Sequence, residues 1–290
     1  MVGGTKLVQL NKILSEYGCN NHVYAKVEAT NPSGSIKDRA CYYMLKQNKA
    51  SGLLKDGGTV VEATSGNMGI SLAYFQKELN YNAIIVMPTS MSVERRKMIQ
   101  KYGAKLELVD GGIMQCAFRA KEIVDSTPGA IMFRQFDDYN NAKAHYLSTG
   151  PELASQIKAD YLFAGIGTGG TISGIGKYFK ENKIETTVVG IEPFESPLLT
   201  KGEAHPHLIQ GIGANFIPII LELKVVDEVI TVKGEDAIAM AKKIRELEGI
   251  DCGYSSGAAL CGCINYLNSH NIKDKEVVVI FPDRGDRYSW

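Results

Sequence analysis

At 290 residues the chain is long enough to bury a large core, as one large domain or two modest ones. Its 32 basic residues balance 32 acidic ones, so neither a nucleic-acid surface nor an anionic-membrane surface is indicated. The longest apolar runs, such as 83–88 and 277–282, are strand-length and fall far short of the roughly 18 residues needed to span a bilayer.

Met1-Val2-Gly3-Gly4-Thr5 lacks the basic and apolar regions of a secretory leader, so a cytoplasmic location is expected. The six cysteines are scattered without C-x-x-C spacing and read as reduced, packed thiols. His205-Pro206-His207 reads as a plain loop, and no metal is expected.

In chain order, a short apolar stretch at 7–10 and an alternating one at 24–29 read as strands. They lead into the turn-rich run Asn31-Pro32-Ser33-Gly34-Ser35-Ile36-Lys37-Asp38-Arg39. Ser35 is placed as an N-cap, with Asp38 completing a capping box, so the helix predicted over 35–49 carries Lys37 in its first turn. The positive end of the helix dipole should lower the pKa of that lysine and make it nucleophilic near neutral pH.

Strands at 59–63, 83–87 and 105–109 then alternate with helices at 68–79, 92–102 and 114–124. A second series has strands at 161–164, 188–191, 228–232 and 277–281, with helices at 172–180, 235–248 and 256–268. Two βα series with a break near Gly150-Pro151 predict an α/β protein of two domains. Each should hold a mostly parallel twisted sheet flanked by helices, with the ligand site between them at the carboxyl ends of strands.

Two further stretches bear on chemistry. Thr64-Ser65-Gly66-Asn67 closes a strand and opens an apolar helix, so hydroxyls and amides converge on a helix N-terminus suited to a carboxylate or phosphate. Gly167-Thr168-Gly169-Gly170-Thr171 does the same after the strand at 161–164. One activated lysine beside two anion cradles suggests a phosphorylated carbonyl cofactor held as a Schiff base, with a substrate carboxylate next to it. A competing reading takes Gly165, Gly167 and Gly170 as G-x-G-x-x-G with Glu192 downstream, the dinucleotide fingerprint, but it leaves Lys37 and the 64–67 loop unused.

At these residues the sequence resembles the cysteine synthase family, which groups O-acetylserine sulfhydrylases with the cystathionine β-synthase core among fold type II pyridoxal-phosphate enzymes. The matching runs are 31–39, 62–69, 87–95, 135–152, 167–171, 190–193, 210–218, 249–258 and 282–288, in order along almost the whole chain. Residues 31–40 and 283–288 resemble the B-type sulfhydrylases, and 210–218 the A-type.

The resemblance implies a tryptophan synthase β-like fold. Residues 35–145 would form the smaller mobile domain with the substrate-carboxylate loop, and 1–34 plus 146–290 the larger domain with the cofactor-phosphate loop. It implies pyridoxal 5'-phosphate as cofactor, a homodimer, and Lys37 as both Schiff-base lysine and the base that takes and returns the α-proton. Gly167, Thr168, Gly169, Gly170 and Thr171 would hold the phosphate, Asn67 the ring 3'-oxygen and Ser255 the pyridine nitrogen. Thr64, Ser65, Asn67, Met68, Gln135, Gly211 and Asn215 would face the substrate. A serine at the ring nitrogen does not hold it protonated, which favours β-elimination over chemistry needing a long-lived α-carbanion. The implied reaction is β-replacement on a small L-amino acid through an aminoacrylate. A scaffold that binds an acetyltransferase tail in its cleft is the non-catalytic alternative, and retention of Lys37 and the cofactor positions speaks against it.

Two departures bear on the substrate. Met68 stands where the family has threonine, and Asn215 where sulfhydrylases carry glycine. Glycine leaves room for an acetyl group, whereas an asparagine fills that space with a hydrogen-bonding side chain. The expectation therefore leans to L-cysteine plus water giving L-serine and hydrogen sulfide. Cysteine synthesis from O-acetyl-L-serine and sulfide, and lanthionine formation from two cysteines, are the alternatives. An amide orients water but is a poor base, so an aspartate would suit water addition better and Asn215 reads as an Asp→Asn exchange. It equally reads as a turn residue with φ > 0 in place of glycine.

Overall fold

The computed structural model describes residues 1–64 and 66–290; the expectation placed on Ser65 lies outside the described residues. The chain opens with β1 (Lys6–Gln9), α1 (Lys12–Glu16), β2 (His22–Val27) and α2 (Lys37–Ala50). It continues through β3 (Thr59–Ala63), α3 (Asn67–Phe75), β4 (Asn82–Pro88), α4 (Val93–Lys101), β5 (Lys105–Val109), α5 (Ile113–Ser126) and β6 (Ile131–Met132). Next come α6 (Asn140–Leu147), α7 (Thr149–Gln156), β7 (Tyr161–Gly165), α8 (Gly170–Glu181), β8 (Thr187–Pro193) and α9 (Leu198–Lys201). The last elements are β9 (Glu228–Val232), α10 (Gly234–Lys243), α11 (Tyr254–Ser269) and β10 (Glu276–Phe281).

The strands form two sheets, one six-stranded in the order β1-β2-β10-β7-β8-β9 and one four-stranded in the order β5-β4-β3-β6. Among the described residues, every strand pairing is parallel except that of β1 with β2. Side chains alternate across a strand, so a sheet covered on both faces needs apolar residues at every position. In β10, Val277, Val279 and Phe281 pack into the core shared with α11, whereas Val278 and Ile280 enter the opposite core beneath α8. Likewise Val60 faces the core under α2 and α3, and Val61 faces the core under α5.

Several elements differ from the sequence expectation. Gly150-Pro151, between the last strand of the smaller sheet and β7 of the larger, lies inside the first turn of α7, where proline is tolerated because its missing N–H would have had no partner there. Helix α10 passes into a wider-turned segment over Ile244–Glu248 and stops at Gly249, whose φ of +68° ends it. Helices α6 and α7 and the two-residue strand β6 were not expected, and they carry the chain from the smaller sheet back to the larger one.

Candidate active site

The turn before α2 is folded back on itself and held from outside. Gly34 has φ +91°, and a Cβ there would lie 2.6 Å from the guanidinium nitrogens of Arg284 and Arg287. Ser35 Oγ accepts the Lys37 N–H at 3.3 Å, but the helix proper begins at Lys37. Asp38 does not close a capping box on Ser35. Its carboxylate accepts Ser33 N–H at 2.6 Å, the Ser33 hydroxyl, and Ser71 Oγ at 2.6 Å, donors that engage both of its oxygens.

One residue further on, Arg39 pairs with Glu28 at 2.7 Å and Glu152 at 2.9 Å, and the buried Lys26 reaches the same Glu152 at 2.5 Å. The first turn of α2 is thereby tied to β2 and α7.

Lys37 is half-buried and faces a cavity, and its Nζ lies 3.3 Å from Thr168 Oγ1. Burial pulls the amine down to about 8, against a smaller opposing pull from Glu62. Desolvation therefore does the work that the sequence reading assigned to the helix dipole.

Opposite Lys37, the loop after β7 opens α8. Its backbone passes so near Gly211 that a Cβ at Gly167 would come within 2.4 Å of the Gly211 carbonyl oxygen. Gly169 turns with φ +81°, and the first turn of α8 presents N–H groups that have no intrahelical acceptor. Thr168 Oγ1 is met by Asn141 Nδ2 at 3.2 Å and by Gly170 N–H at 3.3 Å. Behind Thr171 stands His145, 3.4 Å from its hydroxyl and 2.9 Å from Thr149 Oγ1. Burial pushes this imidazole well below its ordinary pKa, so it is neutral.

The remaining wall comes from the carboxyl end of β3 and the start of α3. Thr64 is buried there, its Oγ1 accepting the Gly66 N–H at 3.2 Å. The Asn67 amide is gripped at both ends: Nδ2 donates to Asp283 at 2.7 Å and Oδ1 accepts from Arg287 at 2.5 Å. Met68 touches the cavity but is otherwise packed among Val60, Ile70 and Ile85. Asn215 has φ +62°, the conformation in which asparagine best replaces glycine, and its Oδ1 accepts Ser196 Oγ at 2.8 Å.

One cavity of about 380 Å³ thus gathers Lys37, Thr64, Asn67, Met68, Gln135, Gly167, Thr168, Gly169, Thr171, Gly211, Asn215 and Ser255. Gly170 is not on its wall; it lies beneath the loop against Asn141, whose Oδ1 a Cβ would approach to 2.1 Å. Glu62, Asn141, His145, Asp283 and Arg287 were not singled out from sequence. A signal existed for Glu62, a carboxylate inside an otherwise apolar strand.

Other sequence readings find different company. Glu192 spends its carboxylate on the Leu199 N–H at 2.8 Å and on Thr200, which removes the acid of the dinucleotide fingerprint. All six cysteines are free and buried, and His207 Nε2 bonds the Gly213 carbonyl at 2.9 Å. Among the described residues no helix is long and apolar enough to cross a membrane.

A half-buried, low-pKa lysine facing a glycine-threonine cradle, between two largely parallel sheets, is the architecture of a lysine-anchored phosphate-cofactor enzyme. The family model described as "Pyridoxal-phosphate dependent enzyme" matches residues 1–283. The curated relatives include cysteine synthase B of Campylobacter jejuni, 45% identical over 99% of this chain and 95% of that protein. They also include cysteine synthase A of Escherichia coli, 41% identical over 99% and 91%. Among solved structures, a hydrogen sulfide-producing enzyme from Fusobacterium nucleatum superposes with a TM-score of 0.95 at 35% identity, covering 99% of this chain and 97% of that one. The chain belongs to the pyridoxal-phosphate dependent enzymes and, within them, to the cysteine synthase family.

The cofactor of that family fits the residues present. The cradle has backbone donors, two threonine hydroxyls and no room for a Cβ at Gly167, and the lysine amine is already shifted toward its neutral form.

Proposed function

We propose that the protein makes L-cysteine from an O-acylated L-serine and sulfide by β-replacement. The observation that carries this reading is the state of Asn215. Its left-handed backbone and its bond to Ser196 support a glycine substitute held in a turn, rather than a group poised to activate water.

In this reading the Gly167 to Thr171 loop binds the cofactor phosphate, Asn67 the ring 3'-oxygen, and Ser255, on the first turn of α11, the ring nitrogen through a neutral hydrogen bond. Thr64, Asn67 and Gln135 hold the substrate carboxylate on the smaller-sheet side of the cavity. Pyridoxal phosphate supplies the electron sink that lets the β-substituent depart. Lys37 takes the proton from the substrate α-carbon; the Cβ–O bond breaks with release of the carboxylate, sulfide forms the Cβ–S bond, and Lys37 returns the proton. Burial serves this role, because an amine pulled down to about 8 has a substantial neutral fraction near neutral pH.

A second reading, L-cysteine plus water giving L-serine and hydrogen sulfide, is favoured by the presence of Asn215 on the wall of the same cavity. The sulfide-producing relative of similar fold also supports it. The test incubates cofactor-loaded protein, Asn215→Gly and Asn215→Asp with L-cysteine alone, and separately with O-acetyl-L-serine and sulfide. Ready cysteine formation by wild type and Asn215→Gly, with little sulfide from cysteine, is expected. Sulfide with matching L-serine from wild type, raised in Asn215→Asp, would replace the first reading by the second.

A further inference from the structure

Glu62 is 4% exposed near the end of β3, and no role has been given to it so far. Its Oε2 accepts the Arg134 backbone N–H at 3.1 Å, which places the carboxylate beside the backbone of the segment that carries Gln135. Arg134 itself holds φ +65°, a left-handed conformation that strains a non-glycine residue. Its guanidinium is largely exposed and, among the described residues, pairs only with Asp137, at 3.6 Å, so the side chain does not explain the strain. What the turn does is bring Gln135, leaving β6, to the cavity wall.

The same segment is held from its far side. Asn141 Nδ2 donates to the Gln135 carbonyl at 2.8 Å and lies 3.2 Å from Thr168 Oγ1, which in turn lies 3.3 Å from Lys37 Nζ. Glu62 therefore stands at the head of a continuous path to the lysine and the glycine loop.

We propose that Glu62 is a positioning residue for the substrate carboxylate: it clamps the strained turn at Arg134 and so sets where Gln135 meets the ligand. The inference rests on the reading of Gln135 as a carboxylate ligand given above.

The test uses the cofactor-loaded protein, titrated calorimetrically with L-serine and with L-serinamide, which lacks the carboxylate. Glu62→Gln should weaken L-serine about tenfold to a hundredfold while changing L-serinamide little, with cofactor absorbance preserved. Burial lifts the Glu62 carboxyl to about 7, so the titrations are run at pH 8, where removing its negative charge would by itself tighten carboxylate binding and the sign of the change is diagnostic. Gln135→Ala should lose the same discrimination, and adding Glu62→Gln to it should lose no more. If Gln135→Ala loses the discrimination but Glu62→Gln keeps it, tightens L-serine, or weakens both ligands alike, Glu62 has no positioning role. If Gln135→Ala keeps it, the reading of Gln135 fails and the proposal with it. Should Glu62→Gln not fold, Glu62→Asp keeps the charge but withdraws it by one methylene. An intermediate loss of discrimination is then expected, and an unchanged ratio refutes the inference.

Discussion

Replacing Glu152 by glutamine tests how firmly the turn that carries Lys37 is tied down. Glu152 joins Lys26 and Arg39, two cations whose side chains are almost wholly buried. Burial alone would push its carboxyl up, but the ion pairs with Arg39 and Lys26 overcome that and hold it at about 2, against an ordinary 4.5. At about 1.4 kcal/mol per pH unit the difference corresponds to about 3 kcal/mol of stability. The sign follows from the depressed value: the contribution is complete above about pH 4.5 and is lost as pH falls through about 2.

Urea unfolding of the apoprotein, followed by circular dichroism, should therefore show Glu152→Gln weaker than wild type by about 3 kcal/mol at pH 7. The gap should narrow by about 1 kcal/mol at pH 4, where the unfolded wild-type carboxyl already binds protons. Burial pushes the Lys26 ammonium toward neutrality, opposite to the pull of its carboxylate. Removing both charges, Lys26→Met with Glu152→Gln, should accordingly recover most of the loss, because the cost of burying them disappears together. A loss below about 1 kcal/mol at pH 7, or one that does not change with pH, would mean the cluster is worth no more than an exposed ion pair and would refute the reasoning.

Lys37→Met should abolish turnover yet raise the urea midpoint of the apoprotein at pH 7. An amine pulled from 10.5 to about 8 weighs against folding below about pH 8, and that penalty disappears as pH rises to 10.5. The gain should be about 2–3 kcal/mol, and an unchanged or lowered midpoint would show that the amine is better solvated than its burial implies. Gly167→Ala drives a methyl group to 2.4 Å from a backbone oxygen, so the loop must shift. A cost of about 1–3 kcal/mol together with at least tenfold weaker cofactor binding, read by absorbance titration, is expected, and normal cofactor affinity would sink the close-approach argument.

All strands but the two-residue β6 were legible because two-sided burial leaves a simple trace, as in the unbroken apolar run of β10. Lys37 and the glycine-threonine loop were legible because turn residues, a lysine and strand ends fall in a pattern that few other chemistries require. The cause of the lysine's shift was not, since depth depends on what packs around the amine and not on its place in a helix. The grip of Asp283 and Arg287 on Asn67 joins residues more than two hundred positions apart, and no local pattern records it. The turn at Arg134 was equally hidden, because arginine carries no preference for a left-handed backbone, whereas Asn215 announced one. Helices α6 and α7 escaped notice because residues 140–156 mix polar and apolar positions without a sustained helical stripe.

The position of β10 also sets an order of assembly. It lies between β2 and β7, so the larger sheet stays in two pieces until residues 276–281 have been made. The smaller sheet draws only on strands between Thr59 and Met132 and can close much earlier. A chain emerging from the ribosome therefore carries one finished half and one with open apolar edges at Val23, Ala25 and Phe163, the kind of surface that holding chaperones recognise and that aggregates when left bare. Lys37 waits between the halves, and its cavity gains a complete wall only when the last strand slots in.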